Sequence, residues 1–233
     1  PKLIKQMFDN TEDLDGFLLF LDYFVKHNWA FYTNTPDFFP DLDTKWDSPG
    51  KITNAVIDIK EESNFDLDKC IRDIGKMGCT GIQFRIYSKT NPSQFDIIAR
   101  ATEFLEFEYV EIISRFNNEL EYSYYDDFIA NNRKISKLIV TGYSENKKST
   151  DNIIYLNEVI DFANDCGVIN SSYFSPNIEL FTESINFNNC LNKKISIDSN
   201  GEIRNCPSMK KSFGNVFQTP LETVVSDSEF MKI

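Results

Sequence analysis

The chain has 233 residues, 41 % of them apolar, and carries a formal charge of −12 from 36 acidic against 24 basic side chains. That composition can bury a core, and so acidic a surface repels phosphate backbones, which argues against nucleic acid as a partner. The most apolar stretch, residues 16–21, is broken at once by Asp22, and no secretory signal pattern is present, so a cytoplasmic protein with no membrane partner is expected.

Residues 11–28 carry Leu14, Phe17, Leu18, Leu21, Phe24 and Val25 at helical spacing, with Thr11 as N-cap and acids in the first turn. A helix is predicted there, then a short strand over 29–33 and a turn-rich exit over 34–40. A polar linker containing Pro49-Gly50 closes this part. Beyond it, β-branched and aromatic runs begin at positions 55, 82, 110 and 138, which are 27 or 28 residues apart, about one strand–helix–strand unit each. Helix-like segments fill the gaps at 67–77, 94–107 and 122–132, the first ending at Gly78. This rhythm predicts an α/β fold whose parallel sheet has right-handed crossovers, either half of a βα barrel or a small open sheet. Later, 153–162 reads as a strand followed by helix, and 177–181 as a further strand. Three parts are expected: 1–50, 51–185 and 186–233.

Five cysteines, an odd number without a secretory signal, point to thiols that are buried or metal-bound rather than to a disulfide framework. The single histidine, His27, excludes multi-histidine metal sites and sits in an apolar helical run, where packing is the expected role. Chemistry concentrates between Cys190 and Cys206. Ile195 and Ile197 alternate with polar residues, and Asn200-Gly201 supplies a hairpin turn. A two-residue turn would set Cys206 opposite Ile195, with Cys190 folding in from beyond the ladder, so that both thiols approach one site. Paired soft thiolates suit iron–sulfur clusters or zinc, but such sites want four ligands, and two ordinary cysteines flanking a hairpin remain an open alternative. Cys70, Cys79 and Cys166 are expected to be small buried residues. Glu61-Glu62 and Asp126-Asp127 read as solvated caps, and Gly75 to Gly78 has the wrong spacing for a phosphate loop. No catalytic residue is assigned, and no organic cofactor site.

Cys190, ten residues, Gly201, four residues, Cys206, then Pro207-Ser-Met, Phe213-Gly-Asn-Val216 and a closing helix up to Phe230 resemble the first half of a SPASM domain. The longer text, with residues 31–40, 52–59 and 173–175, resembles one narrow family, the grasp-with-SPASM system peptide maturases, relatives of the radical S-adenosylmethionine enzymes. The resemblance implies that Cys190 and Cys206 are metal ligands of an auxiliary 4Fe–4S cluster. The further cysteines of the family pattern lie downstream of any position in this sequence, so the chain resembles a truncated member with an incomplete cluster site. It also implies a partial βα barrel at 51–185, the tail of a winged-helix-like leader-recognition module within 1–50, and a SPASM hairpin at 186–233. The loop at 60–66 lacks the three cysteines that would hold a radical cluster, so no S-adenosylmethionine site is expected. The implied role is to bind a ribosomally made precursor peptide and assist an ATP-grasp ligase, which leaves open whether the chain is itself an enzyme. Two alternatives stand beside it: an iron–sulfur redox peptide maturase of the radical type, and a non-catalytic α/β scaffold without cluster.

Overall fold

The computed structural model describes residues 11–38, 44–45, 47–121, 123–143, 150–160 and 178–231. They belong to two compact units, Pro1–Asp43 and Thr44–Ile233. Among the described residues no helix is long and apolar enough to cross a membrane.

In the first unit, helix α1 spans Thr11–Lys26 and stops where Asn28 enters the left-handed region at φ 60°. Asparagine tolerates that conformation better than most residues. The strand expected over 29–33 is absent. Its aromatic side chains fold back on the helix: the Trp29 ring stacks 5.1 Å from His27 and meets Tyr23 and Phe24 edge-on at 5.9 Å each. The Tyr32 hydroxyl donates to Asp22 Oδ1 at 2.7 Å. A strand needs a neighbouring strand for its backbone groups, and these aromatic residues find a helix face instead.

The second unit is built on one seven-stranded sheet. Its strands are β1 (Asn54–Ile59), β2 (Gly81–Lys89), β3 (Tyr109–Arg115), β4 (Lys137–Thr141), β5 (Ile153–Leu156), β6 (Lys194–Ile197) and β7 (Ile203–Arg204). The order is β5-β4-β3-β2-β1-β6-β7, parallel throughout except for the antiparallel β6–β7 pair. The four strands read from the sequence therefore lie side by side in chain order, and β6 joins them at β1. The sequence offered no clue to that last pairing.

Consecutive parallel strands joined by right-handed crossovers carry their helices on one face. Here α2 (Leu67–Lys76), α3 (Pro92–Thr102), α4 (Tyr124–Asn131) and the short α6 (Leu221–Val225) bury Ile71, Ile74, Phe95, Ile98, Phe128 and Val224 in one core with Ile57, Phe84, Ile112, Val140 and Ile197. Asp66 caps α2, accepting from Lys69 N at 2.9 Å, and Asn91 caps α3, whose first residue is Pro92. Proline at that position is pre-set for a helix start, which is why α3 begins two residues before the predicted segment. Strand side chains alternate, so Val56, Asp58, Gln83, Arg85, Glu111 and Ser196 share the opposite face.

Residues 178–186, partly expected as a strand, form helix α5 (Ile178–Asn186). Ile178, Phe181, Thr182 and Ile185 recur at helical spacing, a period the five-residue window was too short to show. The buried Thr182 hydroxyl donates to the Ile178 carbonyl inside that helix at 2.9 Å.

Candidate functional site

The hairpin is held at its tip. Asp198 N donates to the Glu202 carbonyl, Gly201 N to the Asp198 carbonyl, and Gly201 has φ +83°. The loop thus has three residues rather than two, with glycine in its left-handed last position. Paired residues are Ile197 with Ile203 and Ser196 with Arg204. Continuing that register sets Cys206 opposite Lys194, not opposite Ile195 as a two-residue turn would require. One added loop residue shifts every facing pair by one. Glu202 accepts from Asn215 Nδ2 at 2.8 Å and from the Ser212 hydroxyl, and these bonds hold its carboxyl below the ordinary range.

Both predicted metal ligands reach one cavity of about 200 Å³. Cys190 sits in a turn in which its own N–H donates to Asn188 Oδ1, and the chain then passes through Lys193, left-handed at φ 50°, into β6. Cys206 opens a turn closed by Met209 N on its carbonyl. Cys190 is exposed and Cys206 half-buried. Asn54, Gly81, Tyr109 and Lys194, the first residues of β1, β2, β3 and β6, complete much of the lining together with Gln83, Asn205 and Pro207. The cavity therefore lies at the leading ends of the parallel strands. Asn205 is 3 % exposed, donates through Nδ2 to the Phe230 carbonyl at 2.9 Å, and its Oδ1 has no partner among the described residues. An orphaned buried acceptor in a cavity wall is a place where an occupant can donate a hydrogen bond.

The other described cysteines belong to the core. Burial pushes the Cys70 thiol up to about 12, and does the same to Cys79, whose Sγ donates to the Gly81 carbonyl. Such thiols are poor nucleophiles and poor ligands at neutral pH. Cys166 lies outside the described residues. Among the described residues no group of three or more histidine, cysteine or carboxylate side chains could hold a metal ion. Cys190 and Cys206 both line this cavity, two soft donors where a thiolate-held iron–sulfur cluster takes about four.

Further along the same face, four residues from Asn54 and about 13 Å at the rise of an extended strand, lies a second polar cluster. Asp58 and Arg85, each 3 % exposed, form a two-pronged ion pair at 2.6 and 2.8 Å. Burial raises the Asp58 carboxyl above its ordinary value, with hydrogen bonds from Arg85 and Tyr87 opposing that shift and the Asp198 charge adding to it. Nearby Arg204 binds Asp198 Oδ2 at 2.9 Å, while its own Nε is buried with no partner among the described residues. Neither residue of the Asp58–Arg85 pair was picked out from the sequence, though a signal existed. Each is a charge inside an apolar strand run, at the same offset in consecutive strands, 27 positions apart.

The loop after β1 contains no thiol. Ser63 closes it, taking Lys60 N on its hydroxyl oxygen and donating that hydroxyl to the Ser199 carbonyl of the hairpin tip at 2.7 Å. No protein-family model, no curated protein and no solved structure matches this chain, so its functional reading rests on the residues themselves.

Proposed function

We propose that this chain is the SPASM-type component of a peptide-maturation system. It holds a ribosomally made precursor peptide and presents it to an ATP-grasp ligase, with Cys190 and Cys206 as two ligands of an auxiliary iron–sulfur cluster. The observation that carries the reading is the shared cavity: two cysteines, separated in sequence by a hairpin with Gly201 at its turn, line the same space. The consecutive parallel strands support a partial βα barrel, to which the hairpin is joined through β6 and β1. A bound cluster would supply rigidity or electron transfer. The chain's own residues hold the thiols in place through the turn at 188–192, the register of β6 on β7, and the bond from Asn205 to the Phe230 carbonyl. The loop at 60–66 has no cysteine to hold a radical cluster, which favours a binding and assembly role over the redox alternative.

The test is iron and acid-labile sulfide on full-length protein reconstituted anaerobically, beside Cys190→Ser and Cys206→Ser. Near-equal iron and sulfide in the wild type, falling in both variants, is the expected result. A colourless wild type, or variants that match a metal-loaded wild type, overturns the assignment. Joint purification with an ATP-grasp ligase and a candidate precursor peptide then tests the assembly role.

A further inference from the structure

Helix α1 carries two apolar stripes where a surface helix needs one. Leu14, Phe17, Leu21, Phe24 and Val25 form the first and are half-buried. Gly16, Leu19, Phe20 and Tyr23, at i, i+3, i+4 and i+7, form the second on the other side of the helix. Its side chains are exposed, Leu19 by 70 %, Phe20 by 57 % and Tyr23 by 51 %. A helix that is apolar on both sides is ordinarily buried on both.

Trp29 extends the exposed stripe. Its ring stacks on His27, one turn beyond Tyr23, and is itself 65 % exposed. At Gly16 an added Cβ would meet nothing within 4 Å, so the stripe opens onto clear space there. Glycine weakens a helix interior, and what it gives in return is close approach to the bare backbone. By helical position Asp15 and Asp22 flank one edge of the stripe and Asp13 the other. Residues 11–38 hold five acidic side chains against Lys26 alone.

We propose that this stripe is a docking surface for a basic amphipathic helix of a partner protein. Apolar side chains of that helix cover Leu19, Phe20, Tyr23 and Trp29, with Gly16 admitting the closest approach, while its lysines or arginines reach the acidic borders. Laying one apolar helix face on another is a recurring mode of recognition, and the charged rim selects the partner. A second copy of this chain would set acid against acid, and an anionic lipid surface would meet the same repulsion. The proposal stands independently of Cys190 and Cys206 and of whatever those thiols bind.

The probe is a synthetic amphipathic helix with leucine on one face and lysine on the other. It is titrated into the full chain carrying Trp46→Phe, so that emission reports Trp29. A saturable blue shift at one peptide per chain, weakened by salt, is expected. Binding should fall about tenfold or more in Leu19→Gln and in Asp15→Lys, both at exposed positions, with circular dichroism like that of wild type. Gly16→Gln, which favours the helix and fills the open space, should weaken binding as well. The same peptide with glutamate in place of lysine should leave the emission unchanged. Equal binding of both peptides, or of the lysine peptide to wild type and all three variants, overturns the proposal. So does self-association abolished by Leu19→Gln, which makes a second copy the occupant, or an emission shift on phosphatidylcholine vesicles with none on the lysine peptide.

Discussion

Phe84 and Arg85 are adjacent in β2, both almost wholly buried, and they face opposite sides of one sheet. On the side of Phe84, helices cover Ile57, Ile112 and Val140, and area removed from water provides the stability at about 25 cal/mol per Å². On the side of Arg85, stability depends on pairing: Arg85 on Asp58, Gln83 on Glu111, Arg204 on Asp198. Apolar packing is non-directional and accepts neighbours of the right size, whereas a buried charge is stable only with its own partner. The contrast implies that the helix-covered face serves the fold, while the polar face has room for specificity.

The largest effects separate those two rules. Phe84→Ala should destabilise the second unit by about 3–5 kcal/mol through a cavity, at any pH. Arg85→Met should cost about 3–5 kcal/mol because it leaves Asp58 buried and unpaired. The second loss should depend on pH. A carboxyl whose folded-state pKa is raised binds its proton more tightly when folded, so stability is retained at low pH and lost as pH rises through the folded pKa. Urea titrations should therefore show Arg85→Met less impaired at pH 5 than at pH 8, and Asp58→Leu added to it should recover most of the deficit. Equal losses at both pH values, or no recovery, would mean that the polar face is held by packing as well.

A loop position sharpens the comparison at a smaller scale. Gly201→Ala places a Cβ 2.9 Å from Val216 Cγ2 at φ +83°, so about 1–2 kcal/mol should be lost. Since the tip fixes the register that sets Cys206 opposite Lys194, the same change should lower reconstituted iron in parallel with stability, as read by denaturant melts and metal content.

These two scales also mark what could be read in advance. The apolar face was legible because isoleucine, valine and phenylalanine recur at one strand–helix–strand interval, and four strands and three helices followed from that period. The polar face was not, because Asp58 and Arg85 are single charges whose meaning depends on which strands become neighbours. Cys190 and Cys206 were chosen by spacing, and they do share a cavity, but their facing residues were displaced by one. The sequence Asp198-Ser-Asn-Gly-Glu202 permits both a two-residue and a three-residue loop, and bonds from Asn215 to the Asn200 carbonyl and Glu202 clamp the longer one. Residues 29–33 and 178–181 were misread for a related reason. Short aromatic or apolar runs look alike until it is known whether they meet a strand or a helix.

Thiol chemistry gives a further, smaller separation. Cys190 and Cys206 should react with a maleimide at pH 7.5 in the folded protein, while Cys70 and Cys79 should react only on unfolding. Raised folded-state pKa values for the two buried thiols, about 12 each, add a stability contribution that is complete below the unfolded value near 9. It is lost as pH climbs from there toward 12, because the unfolded chain releases those protons first. Melting temperature should fall over that alkaline window, and less steeply in Cys70→Ala/Cys79→Ala. Rapid labelling of Cys79 in the native state would place it outside the core.

The smallest expected effect decides most about the site. Cys190→Ser, at an exposed position, should change metal-free stability by no more than about 0.5 kcal/mol. Its Sγ makes no hydrogen bond with a described residue that the substitution would break, and the N–H that fixes its turn on Asn188 belongs to the backbone. Cys206→Ser should behave similarly, since its turn is closed by its carbonyl rather than its thiol. If iron uptake collapses in variants whose urea midpoints match wild type, the thiols serve a ligand and not the fold. A loss of 2 kcal/mol or more, roughly what truncating a core side chain gives, would instead place them with Cys70 and Cys79 as packing residues, and the polar face would have to find its function at Asp58 and Arg85.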